Sequence, residues 1–184
     1  IYVWAAGNAG SYADQGVDYS SPELLPGMSV YVSEIQSHSI AVVAIDESGE
    51  ISDFSNRCGI AADFCIAAPG GSITVAYPVT EADQGIYEDD DYDCETTNNC
   101  FAVANGTSFA SPFVAGGLAV IADFFSGQLG ATEIVQRMLS TANKTGVYAD
   151  AEIYGQGLLD LDAATSPVGQ LSATLSGTLD SVRI

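Results

Sequence analysis

Two short segments of this 184-residue chain carry side chains that could take part in covalent chemistry. The first is Asn105-Gly106-Thr107-Ser108-Phe109-Ala110-Ser111-Pro112. Its Asn-Gly turn delivers Ser108 to the opening of a long apolar run that reads as a helix. Thr107 or Ser108 is placed to cap that helix, and Pro112 is expected in its first turn, where a missing N–H costs least. A serine there lies at the positive end of the helix dipole among unpaired backbone N–H groups, which would stabilise an alkoxide or a tetrahedral oxyanion. Most serines at helix starts only cap, so position alone does not separate a nucleophile from a cap. The second segment, Val3-Trp4-Ala5-Ala6-Gly7-Asn8, is an apolar run closing in Gly-Asn. It would carry the Asn8 amide to the C-terminal edge of a sheet, where sites in α/β proteins form. Taken alone, Gly-Asn is an ordinary turn signal.

The helix behind Ser108 narrows the choice. Gly116-Gly117 falls in its middle, where each glycine costs about 1 kcal/mol relative to alanine, and such a pair suits close approach of another backbone. The run GTSFASPFVAGGLAVI resembles the serine segment of subtilisin-like serine proteases, usually Gly-Thr-Ser-Met-Ala-Ser/Ala-Pro followed by His-Val-Ala-Gly. Phe109 stands for the methionine and Phe113 for the histidine, and neither change removes a reacting group. Beside it, Ala5-Ala6-Gly7-Asn8 resembles the subtilase segment that supplies the side-chain donor of the oxyanion hole. The resemblance implies that Ser108 is the nucleophile and Asn8 the oxyanion donor. It also implies that Ala5, Ala6 and Gly7 form one wall of the pocket for the residue before the scissile bond, with Gly106 and Thr107 also against substrate. Backbone groups of such a wall can pair with an extended peptide.

Ile40–Asp46, Ile51–Asn56 and Ile66–Gly70 follow the subtilase order of strand, surface strand and Ala-Pro-Gly turn, so the resemblance covers about residues 1–165. SNRCGIAADFCIAAPG, FAVANGTSFASP and YGQGLLDLDAATSPVG are similar to the subtilase passengers of bacterial autotransporters, which implies an extracellular or bacterial cell-surface location. A serine protease also needs a general base and a carboxylate that orients it. Subtilases take these from upstream Asp-Ser/Thr-Gly and His-Gly-Thr motifs, and neither occurs here. The single histidine, His38, lacks the following Gly-Thr and reads as a surface or strand-edge residue. Residues 1–168 are therefore expected to be the C-terminal part of a catalytic domain, with a Ser-, Thr- and Gly-rich tail or linker over 169–184. The expected partners are a polypeptide substrate and the upstream portion of the same domain, and the chain alone is expected to be inactive. Its opening IYVWAA, a strand that needs neighbours on both sides, reads as cut in mid-fold. The reading from another class is a non-catalytic, acidic, disulfide-stapled surface module or a degenerate subtilase.

The elements that must position these segments alternate. Buried strands are expected at Tyr2–Ala6, Ile40–Ile45, Phe64–Ala68 and Ile73–Tyr77, with a shorter one at Phe101–Ala104. Helices follow at Phe109–Phe125, apolar almost all round and so buried, at Thr132–Ala142 and at Leu158–Thr165. The second should bury Ile134, Val135, Met138, Leu139 and Ala142 and turn Gln136 and Arg137 outward. This is an α/β layered fold; the resemblance implies three α/β/α layers around a mainly parallel sheet.

Charge and cysteines bound the rest. Twenty-four acidic residues against four basic ones give −20, a surface that disfavours nucleic acid and anionic lipid. The apolar run Phe113–Ala122, bracketed by Pro112 and Asp123, is too short to span a bilayer, so no membrane insertion is expected. Cys58, Cys65, Cys94 and Cys100 fall in two close pairs, which favours local disulfides 58–65 and 94–100 over buried thiols and points to an oxidising compartment. Asp89, Asp90, Asp91 and Asp93 offer oxygen ligands, and subtilases often bind structural calcium. The loop lacks the D-x-D-x-D-G spacing, however, so no metal ligand is assigned and no cofactor is required. Structural calcium and selection of basic substrate residues stay open beside the plain reading of a solvated acidic face.

Overall fold

The computed structural model describes residues 1–77, 92–96 and 99–167, with the backbone alone for residues 77, 92–96 and 99–100. The 169–184 tail, Asp89, Asp90 and Asp91, the Asp93 side chain and the sulfurs of Cys94 and Cys100 lie outside that description.

Strands β1 (Tyr2–Ala5), β2 (Ser39–Ile45) and β3 (Cys65–Pro69) form a parallel sheet in the order β1-β2-β3. The registers run from Tyr2↔Ser39 to Ala5↔Val42 and from Ala41↔Cys65 to Ile45↔Pro69. A short helix, α1 (Ser33–Gln36), lies on the crossover between β1 and β2. Every residue of β2 is buried, as a central strand covered on both faces requires. Its side chains alternate. Ile40, Val42 and Ala44 join Ile66 and Ala68 in one core, while Ala41, Val43 and Ile45 join Ala67, Cys58, Cys65 and Tyr154 in another.

Strands β4 (Ile73–Tyr77), β5 (Tyr92–Thr96) and β6 (Asn99–Ala104) make a separate antiparallel sheet in the order β4-β6-β5. Its backbone register sets Cys94 opposite Cys100. The run 101–104 is thus not a buried strand of the main sheet. Ala102 is buried, but Phe101 and Val103 on either side are each 49% exposed.

The helices are α2 (Thr107–Phe124), α3 (Ala131–Thr141), α4 (Ala151–Tyr154) and α5 (Leu161–Thr165). Helix α2 is buried on one face only. It packs one face (Ala110, Val114, Leu118, Ile121) on the sheet and α3, yet Phe113, Val120 and Phe124 remain 45–59% exposed. An all-round apolar composition overstated its burial. By length and composition alone its 18 residues, at a mean hydropathy of 1.3, could cross a membrane, which the shorter run Phe113–Ala122 did not suggest. Pro112 is the sixth residue of this helix, beyond the first turn, so the Ser108 carbonyl lacks its i+4 donor. A Cβ on Gly117 would meet the Met138 and Leu161 side chains at 3.0 Å, while nothing lies within 4 Å of one on Gly116. Side chains, and at one glycine only, take the place expected for a neighbouring backbone.

Helix α3 buries Ile134, Val135 and Met138, leaves Leu139 half-buried, and ends before Ala142, which is also buried; Gln136 is exposed. Arg137 does not point outward. Its Nε donates to the Ala164 carbonyl at 2.7 Å, another guanidinium nitrogen donates to Ser166, and its head lies 5.0 Å from the Phe125 ring. The expected helix over 158–165 starts only at Leu161, because Leu158 is drawn beside β3. Ala67 N–H donates to Gly157 O, and Leu159 N–H donates to Ala67 O, both at 2.9 Å. Asp160 then caps α5 by accepting from Ala163 N at 2.9 Å. Cys58 and Cys65 are joined, at a separation of 7 residues.

Candidate active site

The site grows from two chain ends that the parallel sheet brings together. β1 ends at Ala5, Ala6 N–H donates to Val42 O at 2.9 Å, and Gly7 then turns with φ +117. That left-handed turn aims Asn8 off the C-terminal edge of the sheet. On the other side, Gly106 N–H donates to Gly70 O at 2.9 Å, which sets the start of α2 against the Ala-Pro-Gly turn after β3. Gly106 occupies the N-cap position, so neither Thr107 nor Ser108 caps α2; they are its first two residues.

Thr107 locks the two segments together. Its backbone N–H and its hydroxyl both donate to Asn8 Oδ1 at 3.0 Å, and Gly7 N–H donates to Thr107 Oγ1 at 3.2 Å. Because a backbone N–H can only donate, the Asn8 atom facing it must be the carbonyl oxygen, which leaves Nδ2 as the outward donor. Thr107 itself is fully buried, and Ser108, the next residue, is exposed. As the second residue of α2, Ser108 has a backbone N–H with no intrahelical acceptor. An exposed hydroxyl thus stands beside a fixed amide donor and a free N–H at a helix N-terminus. Such a group of donors can stabilise a developing oxyanion.

The remaining expected site residues behave differently from one another. Ala6 is buried and both its backbone groups are in use, since its carbonyl accepts from Glu23 N at 2.8 Å. It cannot pair with a peptide. Tyr2 and Ala6 donate toward β2, so the alternating residues Val3 and Ala5 turn their backbone groups to the outer edge of β1, which has no strand partner among the described residues. Gly7 uses its carbonyl for Asn56 N–H at 2.9 Å.

His38 lies at the opposite end of the sheet, just before β2 and beside the start of β1. The length of β1 puts it about 13 Å from the Asn8 edge. Its ring sits between the Ser37 hydroxyl (2.8 Å) and the Thr132 hydroxyl (3.2 Å), and it has no route to Ser108. Among the described residues, no cluster of three or more His, Cys, Asp or Glu could hold a metal ion.

Two contributors carry no sequence signal. Asn56, 2% exposed, accepts from Ala9 N at 2.7 Å and donates to Ser21 O at 2.8 Å, so it braces the Asn8 turn against the 20–27 loop. Glu23 reaches the opposite side of Gly7, where a Cβ would fall 2.7 Å from its Cγ and its Oε1. Both contacts bridge residues far apart in the chain, and no local pattern announces them.

A parallel sheet whose edge presents a glycine-turned asparagine beside the first turn of a serine-bearing helix defines a subtilisin-like α/β fold. The chain belongs to the subtilase family: residues 1–157 match the Peptidase_S8 (Subtilase family) model. It is 29% identical to serotype-specific antigen 1 of Mannheimia haemolytica over 90% of this chain and 16% of that protein. It is 31% identical to subtilisin DY of Bacillus licheniformis over 89% of this chain and 46% of that one. It is 26% identical to the autotransporter lipoprotein NalP of Neisseria meningitidis over 98% of this chain and 16% of that one. The self-cleaved protease domain of PatA shares the fold at a TM-score of 0.60 and 22% identity, over 90% of this chain and 49% of that one. The chain thus spans less than half the length of the relatives it matches. Family membership supports a serine peptidase in general terms.

Proposed function

We propose that this chain is the nucleophile and oxyanion half of an exported serine endopeptidase. The observation that carries the reading is the Asn8 amide held through its oxygen by Thr107, the residue before Ser108, with no acceptor for its nitrogen among the described residues. Ser108 Oγ attacks the carbonyl carbon of a peptide bond while its proton passes to an imidazole supplied by sequence outside this chain. The oxyanion receives hydrogen bonds from Asn8 Nδ2 and Ser108 N–H. As the tetrahedral intermediate collapses, the C–N bond breaks and the amine leaves with that proton. Water then hydrolyses the acyl group on Ser108 with the same imidazole as base.

Support for a completing segment comes from the outer edge of β1, unpaired among the described residues, and from the exposed apolar face of α2. An upstream portion of the same domain that supplies Asp and His would cover these surfaces, which leaves α2 inside a protein rather than a membrane. An extracellular or bacterial cell-surface location fits the Cys58–Cys65 bridge and the autotransporter relative.

The test is labelling of the intact protein by a fluorophosphonate probe. Wild type should label and Ser108→Ala should not. Labelling that survives Ser108→Ala sinks the assignment, and turnover by the 184-residue chain alone that is lost in Ser108→Ala sinks the half-site reading.

A further inference from the structure

Glu23 has its backbone pinned beside Gly7. Its N–H donates to Ala6 O and its carbonyl accepts from Gly27 N–H, both at 2.8 Å, so neither of its backbone polar groups is free to shift. The Asn56 amide grips Ser21 O two residues earlier, and Pro26 and Gly27, three and four residues later, are buried. From this pinned backbone the side chain runs against Gly7, where any side chain in place of the glycine hydrogen would collide with Glu23 Cγ, Cδ and Oε1 at 2.7–2.8 Å. Glu23 nonetheless remains exposed, so its charge faces the space beside the Ala5–Gly7 wall rather than the core. Arg57, next to the Asn56 brace, is turned onto the Tyr19 ring at 5.3 Å.

Resting on the reading of Ala5–Gly7 as the wall of the pocket for the residue before the scissile bond, we propose that Glu23 makes that pocket select lysine or arginine. The selection works from both sides. A cationic head gains a charge-assisted hydrogen bond to the carboxylate, while an apolar side chain seated there strips water from a charge and returns nothing. The acidic excess of the whole chain also raises the local concentration of cationic peptides. That field is spread over many residues, whereas the Glu23 contribution is confined to one substrate position, and this difference makes it testable.

The experiment reads binding, so it does not depend on turnover. Product-like peptides ending in Arg, Lys, Leu or Phe are titrated by fluorescence anisotropy onto the intact protein carrying Ser108→Ala. A control peptide moves the arginine one residue inward. Peptides ending in Arg or Lys should bind at least about tenfold tighter than those ending in Leu or Phe, and tighter than the control. Adding Glu23→Gln should shrink the gap to about twofold or less without weakening the Leu peptide, and Glu23→Asp should restore part of it. Equal binding of all peptides, no binding of any, or a Glu23→Gln loss shared by Leu and Arg peptides overturns the proposal. Failure of the protease reading shows separately, as absent Ser108-dependent labelling.

Discussion

On one face of the parallel sheet, Ala41, Val43, Ile45 and Ala67 pack on the Cys58–Cys65 bridge and Tyr154. Several polar groups around that core are tied within the chain, although Trp4 Nε1, on the same face as Ala41, is buried without a partner among the described residues. Ile51 N–H donates to Tyr154 Oη at 3.1 Å, Tyr148 Oη donates to Gly49 O at 2.8 Å, and Gln156 Nε2 donates to Ala62 O at 3.0 Å. On the other face, α2 seals its inner side with Val114, Leu118 and Ile121 but leaves Phe113, Val120 and Phe124 in solvent. Close by, the outer edge of β1 has no strand partner among the described residues. Large exposed apolar surface beside unmatched polar groups marks an interaction surface. The stapled face is cross-linked within the chain, whereas the face that carries Ser108 leaves one side of its main helix uncovered. Changes to the first should therefore register as stability, and changes to the second as activity.

The largest effect expected from this contrast is at Gly155. Its φ is +61, and a Cβ there would sit 2.3 Å from Cys65 O and 2.9 Å from Cys58 Sγ. Gly155→Ala combines left-handed backbone strain with a clash against main chain, for a loss of about 3–4 kcal/mol in unfolding free energy. Urea denaturation checks it. An unchanged midpoint, or lost labelling at full stability, would break the contrast.

Next comes Asn8, tested by two variants. Asn8→Asp keeps an acceptor for Thr107 but removes the donor, while Asn8→Ala removes both. Each should lower kcat by about 10²–10³, roughly 3 kcal/mol, a figure that belongs to subtilisin's own oxyanion asparagine and is borrowed from the family. Only Asn8→Ala should also lose about 1 kcal/mol of stability, because the first N–H of α2 then has no acceptor. Equal destabilisation by both would show that the amide is structural.

What the sequence revealed follows from how local each signal is. Strands β1 to β3 were legible as short continuous apolar runs and the inner face of α3 as a 3.6-residue period, both signals contained within a few residues. Ser108 and Asn8 were legible because each ends a distinctive local run. Arg137 was misread because its partners, Ala164 and Ser166, lie 27 and 29 residues away. The same holds for Leu158 beside β3, for Asn56 bracing Ala9 across 47 residues, and for Glu23 against Gly7. One-sided cover on α2 was hidden for a further reason: an apolar composition says that a helix can be buried, not that its own chain buries it.

The smallest expected effect tests how independent the two faces are. The Cys58–Cys65 bridge closes a short loop, with 7 residues of separation, so the loop-entropy account gives it about 2.5 kcal/mol. Cys58→Ala with Cys65→Ala should lower the urea midpoint accordingly, while fluorophosphonate labelling of the still-folded protein changes by less than about twofold. The measurement is sharp because Asn56 stands two residues before Cys58 and grips both sides of the Asn8 turn, accepting from Ala9 N at 2.7 Å and donating its N–H to Gly7 O at 2.9 Å. If Asn56 keeps its place by its own burial and by its bond to Ser21, the loop can loosen without moving Asn8. A labelling rate that falls in step with stability would mean that the bridge holds Asn56 in register, and the stapled face would then be part of the catalytic apparatus.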